Sequence, residues 1–233
     1  GLQVSLNLAG VTNNDIVIVP NLTFVASLNA ISYTGAQSVL IDVCKSSWQI
    51  DTNLIQKWLE NNTSTIIVDG KPITTENLTK KKVSAIMPVY VLGGFINVKE
   101  LLDISTTYGI PLVEDSTEAL GSFIKEKHAG TFGVTGVLSF NGNKIISTGG
   151  GGMILTNDKE IASRAKHITT TAKTDPLDYF HDEVGYNYRL VNVLAAIGLA
   201  QMENFDSILK KKKEIEALYR QELDGIGDIK FQI

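Results

Sequence analysis

Short apolar runs alternate with helical patterns along the first half of the chain, and that alternation leaves few folds open. "DIVIVP", "QSVLIDV", "SAIMPVYV" and "IPLVED" each place apolar residues at successive positions. A strand with one wet face alternates apolar with polar, so runs of this kind are strands buried on both faces. Between them, "FVASLNAISYTG", "DTNLIQKWLENN" and "NVKELLDISTTYG" repeat apolar residues at helical spacing. Asp51 and Asn97 stand as N-caps, and Gly109 closes its helix. Strand–helix alternation of this kind predicts an α/β fold, three-layered α/β/α, with a mostly parallel sheet.

The texture changes from residue 123. "FIKEKHAG" reads as a hairpin, "GVLSF" and "GGMILTN" as strands, and "DKEIASRAKHI" and the stretch from Val191 to about Leu223 as helices. Residues 64–82 read as an inserted hairpin turning at Asp69-Gly70. The chain starts inside an amphipathic pattern, "GLQVSLNLAG", without a cap, and stops in "GDIKFQI", a strand pattern just begun. Both ends predict a fragment of a longer chain, with residues 1–205 forming a large domain and 206–233 a linking helix and the start of a small one.

Composition removes several function classes. A formal net charge of −4 gives no electrostatic reason for binding nucleic acid or an anionic membrane. The run Lys210–Lys213 lies in a helical pattern and reads as a solvated face. No apolar run approaches the roughly 20 residues a membrane helix needs. One cysteine, Cys44, excludes an internal disulfide framework and suits a reducing compartment, so a cytoplasmic protein is the expectation. His128, His167 and His181 are scattered, and no Cys/His spacing marks a metal site.

Ligands of open α/β sheets sit at the carboxyl ends of strands. Phe24, Asp115, Ser139 and Lys144 all fall there. Lys144 follows a Ser/Asn-rich turn and precedes Gly149–Gly152. It is either a surface charge or an amine desolvated into a nucleophile. Asp115 is either a helix cap or a carboxylate for a protonated ring nitrogen. Ser139 and Asn141 fit turn bonds equally well. The glycine run fails the dinucleotide pattern, because Ile154 stands where a glycine is needed and a strand follows. A strand-end lysine, a carboxylate, an aromatic and polar turns of phosphate size form a set that pyridoxal phosphate uses.

Five ordered motifs carry a family resemblance: "VIVPNLTFVASLNAISYTGA", "IMPVYVLGG", "VEDSTEALGS", "GTFGVTGVLSFNGNKIISTGGGGMILTND" and "HDEVGYNYRLVNVLAAIGLAQME". The chain resembles the DegT/DnrJ/EryC1/StrS sugar aminotransferases, of fold type I among pyridoxal-phosphate enzymes. "EDSTEALGS" and "SFNGNKIISTGGGGMI" most resemble the LegC-like branch, which makes 4-amino-4,6-dideoxy sugars on nucleotide carriers.

The resemblance implies roles for particular residues. Lys144 anchors the cofactor covalently and later shuttles the proton, Asp115 pairs with the ring nitrogen, and Phe24 stacks on the ring. Glu118 stands near the ring hydroxyl, where many members have Gln or His, and Ser139 binds the phosphate. Asn187 and Arg189 reach into the site of a neighbouring subunit, so a homodimer with shared sites is implied. Tyr90 occupies a position where many relatives carry His, and a substrate contact is expected of it. The family's Ser-Gly-Thr phosphate cradle would precede Gly1. The implied partners are a nucleotide-linked 4-keto-6-deoxy sugar and an amino donor, glutamate by family habit. Two readings compete: a sugar dehydratase of the same fold, which would carry histidine at position 144, and a non-catalytic regulator, for which Lys144 and Asp115 would be unneeded.

Overall fold

A computed structural model describes residues 1–175 and 177–231. It opens with helix α1 (Leu2–Leu8), strand β1 (Ile16–Pro20), α2 (Val25–Tyr33) and β2 (Gln37–Ile41). Helix α3 (Thr52–Asn62) runs into a hairpin of β3 (Thr63–Val68) and β4 (Lys71–Glu76), followed by β5 (Val83–Ile86). After α4 (Val98–Tyr108) come β6 (Val113–Asp115), the small hairpin β7 (Phe123–Ile124) and β8 (Lys127–His128), then β9 (Thr135–Ser139) and β10 (Gly152–Leu155). Helix α5 (Lys159–Thr169), the ribbon β11 (Lys173–Asp175) and β12 (Phe180–His181), and helices α6 (Asn192–Met202) and α7 (Phe205–Leu223) complete the order.

The central strands run parallel. β1 pairs with β2 and β5, and β6 pairs with β9, all in parallel register. Parallel bridges Ile86↔Leu112 and Val89↔Asp115 join the two halves, and among the described strands of this sheet β10 alone runs antiparallel, against β9. Successive side chains of a strand point to opposite faces. Ile16 and Ile18 of β1 therefore meet Ile55 and Leu59 of α3 and Leu101 and Ile104 of α4. Val17 and Val19 meet Leu2 and Leu6 of α1 and Ile31 of α2. Each fully buried side chain of this size contributes about 1.5–3 kcal/mol, and two faces covered this way make the three-layer α/β/α fold.

Local signals act where they stand in the sequence. Asp51 accepts from the backbone N–H of Asn53 and Leu54, and Asn97 from that of Glu100. Gly109 closes α4 in the left-handed region, with φ 65°. Asp69 and Gly70 both have positive φ, 49° and 74°, the mirror-image turn that matches strand twist.

Three expectations change. β2 is an edge strand with Leu40 exposed, so burial on both faces holds only for the inner strands. The pattern at Gly227–Phe231 forms no strand, and residues 232–233 lie outside the described residues. The stretch after Val191 breaks at Glu203-Asn204 into two helices, and α6, though apolar nearly all round, buries none of its residues. No described helix is long and apolar enough to cross a membrane.

Candidate active site

Strand β6 ends on two carboxylates that part company. Asp115 turns to the α1/α2 side, where it is 3% exposed. Its Oδ2 accepts from Ser27 Oγ at 2.7 Å and its Oδ1 from Thr117 N–H at 3.3 Å. Thr23 Oγ1 lies 2.7 Å behind the Ser27 hydroxyl. Burial pushes the Asp115 carboxyl above the usual carboxylate range, and these hydrogen bonds and the positive charge of Lys144 oppose the rise. A desolvated carboxylate of this kind is stabilised by a cation brought to it.

The side-chain amine that acts on Asp115 in this way comes from the loop after β9. The Lys144 side chain is 16% exposed, and its Nζ lies 3.4 Å from Glu118 Oε1. Glu118 Oε2 accepts from the Leu92 N–H at 2.8 Å. The loop itself is closed by Thr148 N–H donating to the Phe140 carbonyl, and by Ile146 buried against Leu138 and Phe140. Gln201 of α6 clamps it from outside, accepting from Ser147 N–H at 2.9 Å and donating to the Ser147 carbonyl at 2.5 Å. The glycine run divides by cause. A Cβ at Gly152 would stand 2.4 Å from the Leu138 carbonyl, whereas Gly149 and Gly150 face open space. Room behind the lysine is thus real at two of the four positions.

The remaining expected residues spread around this centre. Phe24 sits 77% exposed at the start of α2, one turn before Ser27, its ring free to cover a ligand. Ser139 and Arg189, with Thr117 and Tyr188, line a cavity of about 1040 Å³ bounded by α1, α2, β10 and α5. Lys144, Asp115, Phe24 and Glu118 are not among the residues that line it. Asn187 is exposed and bridged to Thr170 at the end of α5. Tyr90 faces the other way. Its side chain is buried in the α3/α4 core and its hydroxyl donates to Glu114 Oε2, so the expected substrate contact finds no support in this geometry. Burial and the Glu114 charge raise the Tyr90 hydroxyl far above its usual value.

Ser27 and Gln201 were not among the residues singled out from the sequence. Ser27 had one usable signal, its place one helical turn beyond Phe24; Gln201, inside an apolar helix, had none. The structure also gathers His167, Asp182 and Glu183 within 4.8 Å of one another. Arg164 donates to both Glu183 oxygens, so this cluster is an ion-pair network that ties the segment before Asn187 onto α5.

An amine and a desolvated carboxylate at neighbouring strand ends, beside an exposed aromatic ring, suit an aldehyde cofactor with a protonated ring nitrogen. The fold is that of the large domain of fold type I, pyridoxal-phosphate-dependent transferases, and the residues at its strand ends suit that cofactor. The solved structure of S. venezuelae DesV in complex with ketimine intermediate overlays at a TM-score of 0.84 and 26% identity, over 100% of this chain and 57% of that one. The chain belongs to the DegT/DnrJ/EryC1/StrS aminotransferase family, which it matches over residues 1–232. Among curated relatives it is 36% identical to the GDP-perosamine synthase of Escherichia coli O157:H7, over 98% of this chain and 57% of that protein. It is 32% identical to the UDP-4-amino-4,6-dideoxy-N-acetyl-beta-L-altrosamine transaminase of Campylobacter jejuni, over 90% of this chain and 51% of that protein. The chain therefore spans little more than half the length of these relatives.

Proposed function

We propose that this chain carries the cofactor-binding half of a nucleotide-sugar aminotransferase. The substrate is a nucleotide-linked 4-keto-6-deoxy sugar, the donor an amino acid, glutamate by family habit, and the product an amino sugar for surface polysaccharide or nonulosonic acid. Residues 1–205 are the cofactor domain, and 206–233 link it to the rest of the protein. The observation that carries the reading is the placement of the Lys144 amine, on the loop after β9, near the buried Asp115 carboxylate that ends the neighbouring strand β6, with Glu118 as its ion-pair partner. The names of the two relatives support the substrate class, one carrying GDP and the other a UDP-linked 4-amino-4,6-dideoxy sugar.

Bound pyridoxal phosphate would supply an aldehyde carbon and an electron-withdrawing ring. Lys144 would hold that carbon covalently through Nζ and, once displaced by the donor, keep and pass a proton there. Asp115 would accept the hydrogen bond of the protonated ring nitrogen, held in place by Ser27. Phe24 would cover the ring face, Ser139 would donate to the phosphate, and Glu118 would sit by the ring hydroxyl. Asn187 and Arg189 would serve the partner's site in a homodimer. An apolar helix is ordinarily a buried one, and α6, with Val193, Ile197 and Leu199 exposed, offers the face such a dimer would cover. The dehydratase alternative is disfavoured by a lysine at position 144.

The test is a visible absorption spectrum of the protein loaded with pyridoxal phosphate, recorded before and after adding glutamate. A band that glutamate bleaches, and that Lys144→Ala lacks, is the expected result. A wild-type protein with no such band would end the proposal.

A further inference from the structure

The second carboxylate of β6 has no part in the reaction drawn above, yet it is among the best-served groups in the molecule. Glu114 is buried on the face of β6 opposite Asp115. Its Oε1 accepts from the Phe132 N–H at 2.7 Å and the Gly133 N–H at 2.6 Å. Its Oε2 accepts from the Gly130 N–H at 2.9 Å and the Tyr90 hydroxyl at 2.5 Å. All four partners donate, so the group acts as an acceptor only.

Tyr90 is the link towards the site. Its backbone N–H donates to the Asp115 carbonyl at 3.0 Å, and the Asp115 N–H donates to the Pro88 carbonyl at 2.9 Å, so residues 88–90 are zipped along β6. Two residues later the chain turns through Leu92 at φ 54°, ψ 22°, a left-handed conformation that costs a side-chain-bearing residue about 1–2 kcal/mol. That turn exposes the Leu92 side chain and aims its N–H at Glu118 Oε2. Glu118 in turn holds Lys144. The strained turn is thus pinned from behind by Glu114 through Tyr90, and in front it meets the carboxylate that pairs with the amine.

We infer that Glu114 is a positioning residue: through Tyr90 and the turn at Leu92 it sets the place of Glu118, and so the ion pair that Lys144 must leave to react with a carbonyl. The inference rests on the proposed role of Lys144 as the cofactor's covalent anchor. It makes Tyr90 a strut of the site in place of a substrate contact.

The experiment follows the rate at which Lys144 captures pyridoxal 5'-phosphate, trapped by borohydride and located by mass spectrometry, with Leu92 amide exchange measured in the same samples without cofactor. Glu118→Gln removes the ion pair and should speed capture. Glu114→Gln risks the fold, so Tyr90→Phe, which removes only the hydroxyl, is the working variant. Tyr90→Phe should accelerate capture by about 2- to 10-fold, the span of one hydrogen bond, and expose the Leu92 amide to faster exchange. In the double variant the rate should equal that of Glu118→Gln alone, because the two act in series. Effects that multiply, or a natively folded Tyr90→Phe protein with unchanged capture and unchanged Leu92 exchange, would overturn the inference. A wild-type protein that captures nothing at Lys144 would instead remove the proposed function, and Leu92 exchange would still decide whether Tyr90 holds the turn.

Discussion

The Ser27 hydroxyl donates to the Asp115 carboxylate at 2.7 Å across 88 positions of sequence, joining the first turn of α2 to the end of β6. Both groups are buried, and Ser27 is itself met by Thr23. Ser27→Ala should destabilise the protein at neutral pH by about 1–2 kcal/mol, the cost of leaving a buried charged acceptor short of a donor. The ionised carboxylate accepts this bond more strongly than the neutral acid would, so the loss should shrink in acid. Urea midpoints of the two proteins at neutral and acidic pH measure it; a loss that does not vary with pH would contradict this account.

Asp115→Asn should change the pH dependence of stability in a defined direction. Burial raises the Asp115 pKa above its ordinary value of 3.8, so the native state keeps the proton after the unfolded state has released it. Cofactor-free stability therefore falls as pH rises from about 3.8 through the raised native value, and stays lower above it. The asparagine variant lacks this decline. Its stability relative to wild type should increase across that window, while its affinity for pyridoxal phosphate drops. Parallel curves at all pH values would mean that Asp115 is not held against its own charge.

Gln201→Leu should loosen the loop that carries Lys144. The amide serves both backbone groups of Ser147, and an apolar side chain of similar size leaves both without that partner. The expected cost is about 1–3 kcal/mol, local to the loop. Amide exchange at Ser147 should quicken by ten-fold or more while that of β1 and β6 is unchanged. Unchanged exchange at Ser147 would show that the clamp is idle.

The proposed shared sites predict complementation. Lys144→Ala and Asn187→Ala chains, each inactive alone, should regain part of the wild-type activity when mixed, because one site of the mixed two-fold dimer receives both intact residues. Verified subunit exchange without recovery would confine Asn187 to its own chain.

How much of this was legible beforehand follows from the range of each interaction. The caps Asp51 and Asn97, the stop at Gly109 and the turn at Asp69-Gly70 act within three residues of themselves, and each forms as its local pattern requires. Lys144 and Asp115 could be singled out because strand ends are where open sheets offer side chains to ligands, whereas Glu118 came only with the family resemblance. The expectation for Tyr90 also came from the resemblance, at a position where many relatives carry His, but its side chain goes to the face of the sheet filled by α3 and α4.

The alternation of buried runs with helical patterns was enough by itself to determine a parallel, three-layer fold, because periodicity of 2.0 against 3.6 is a property of neighbouring residues. It also marked the lysine and the carboxylate. Only the tertiary structure decided what each meets: Ser27 under Asp115, Glu118 beside Lys144, Tyr90 and three backbone N–H groups around Glu114, and Gln201 across Ser147. A hydrogen bond depends on tenths of an ångström and on angle. Between residues far apart in the chain, those quantities are set by how helices and strands pack, which no local pattern encodes.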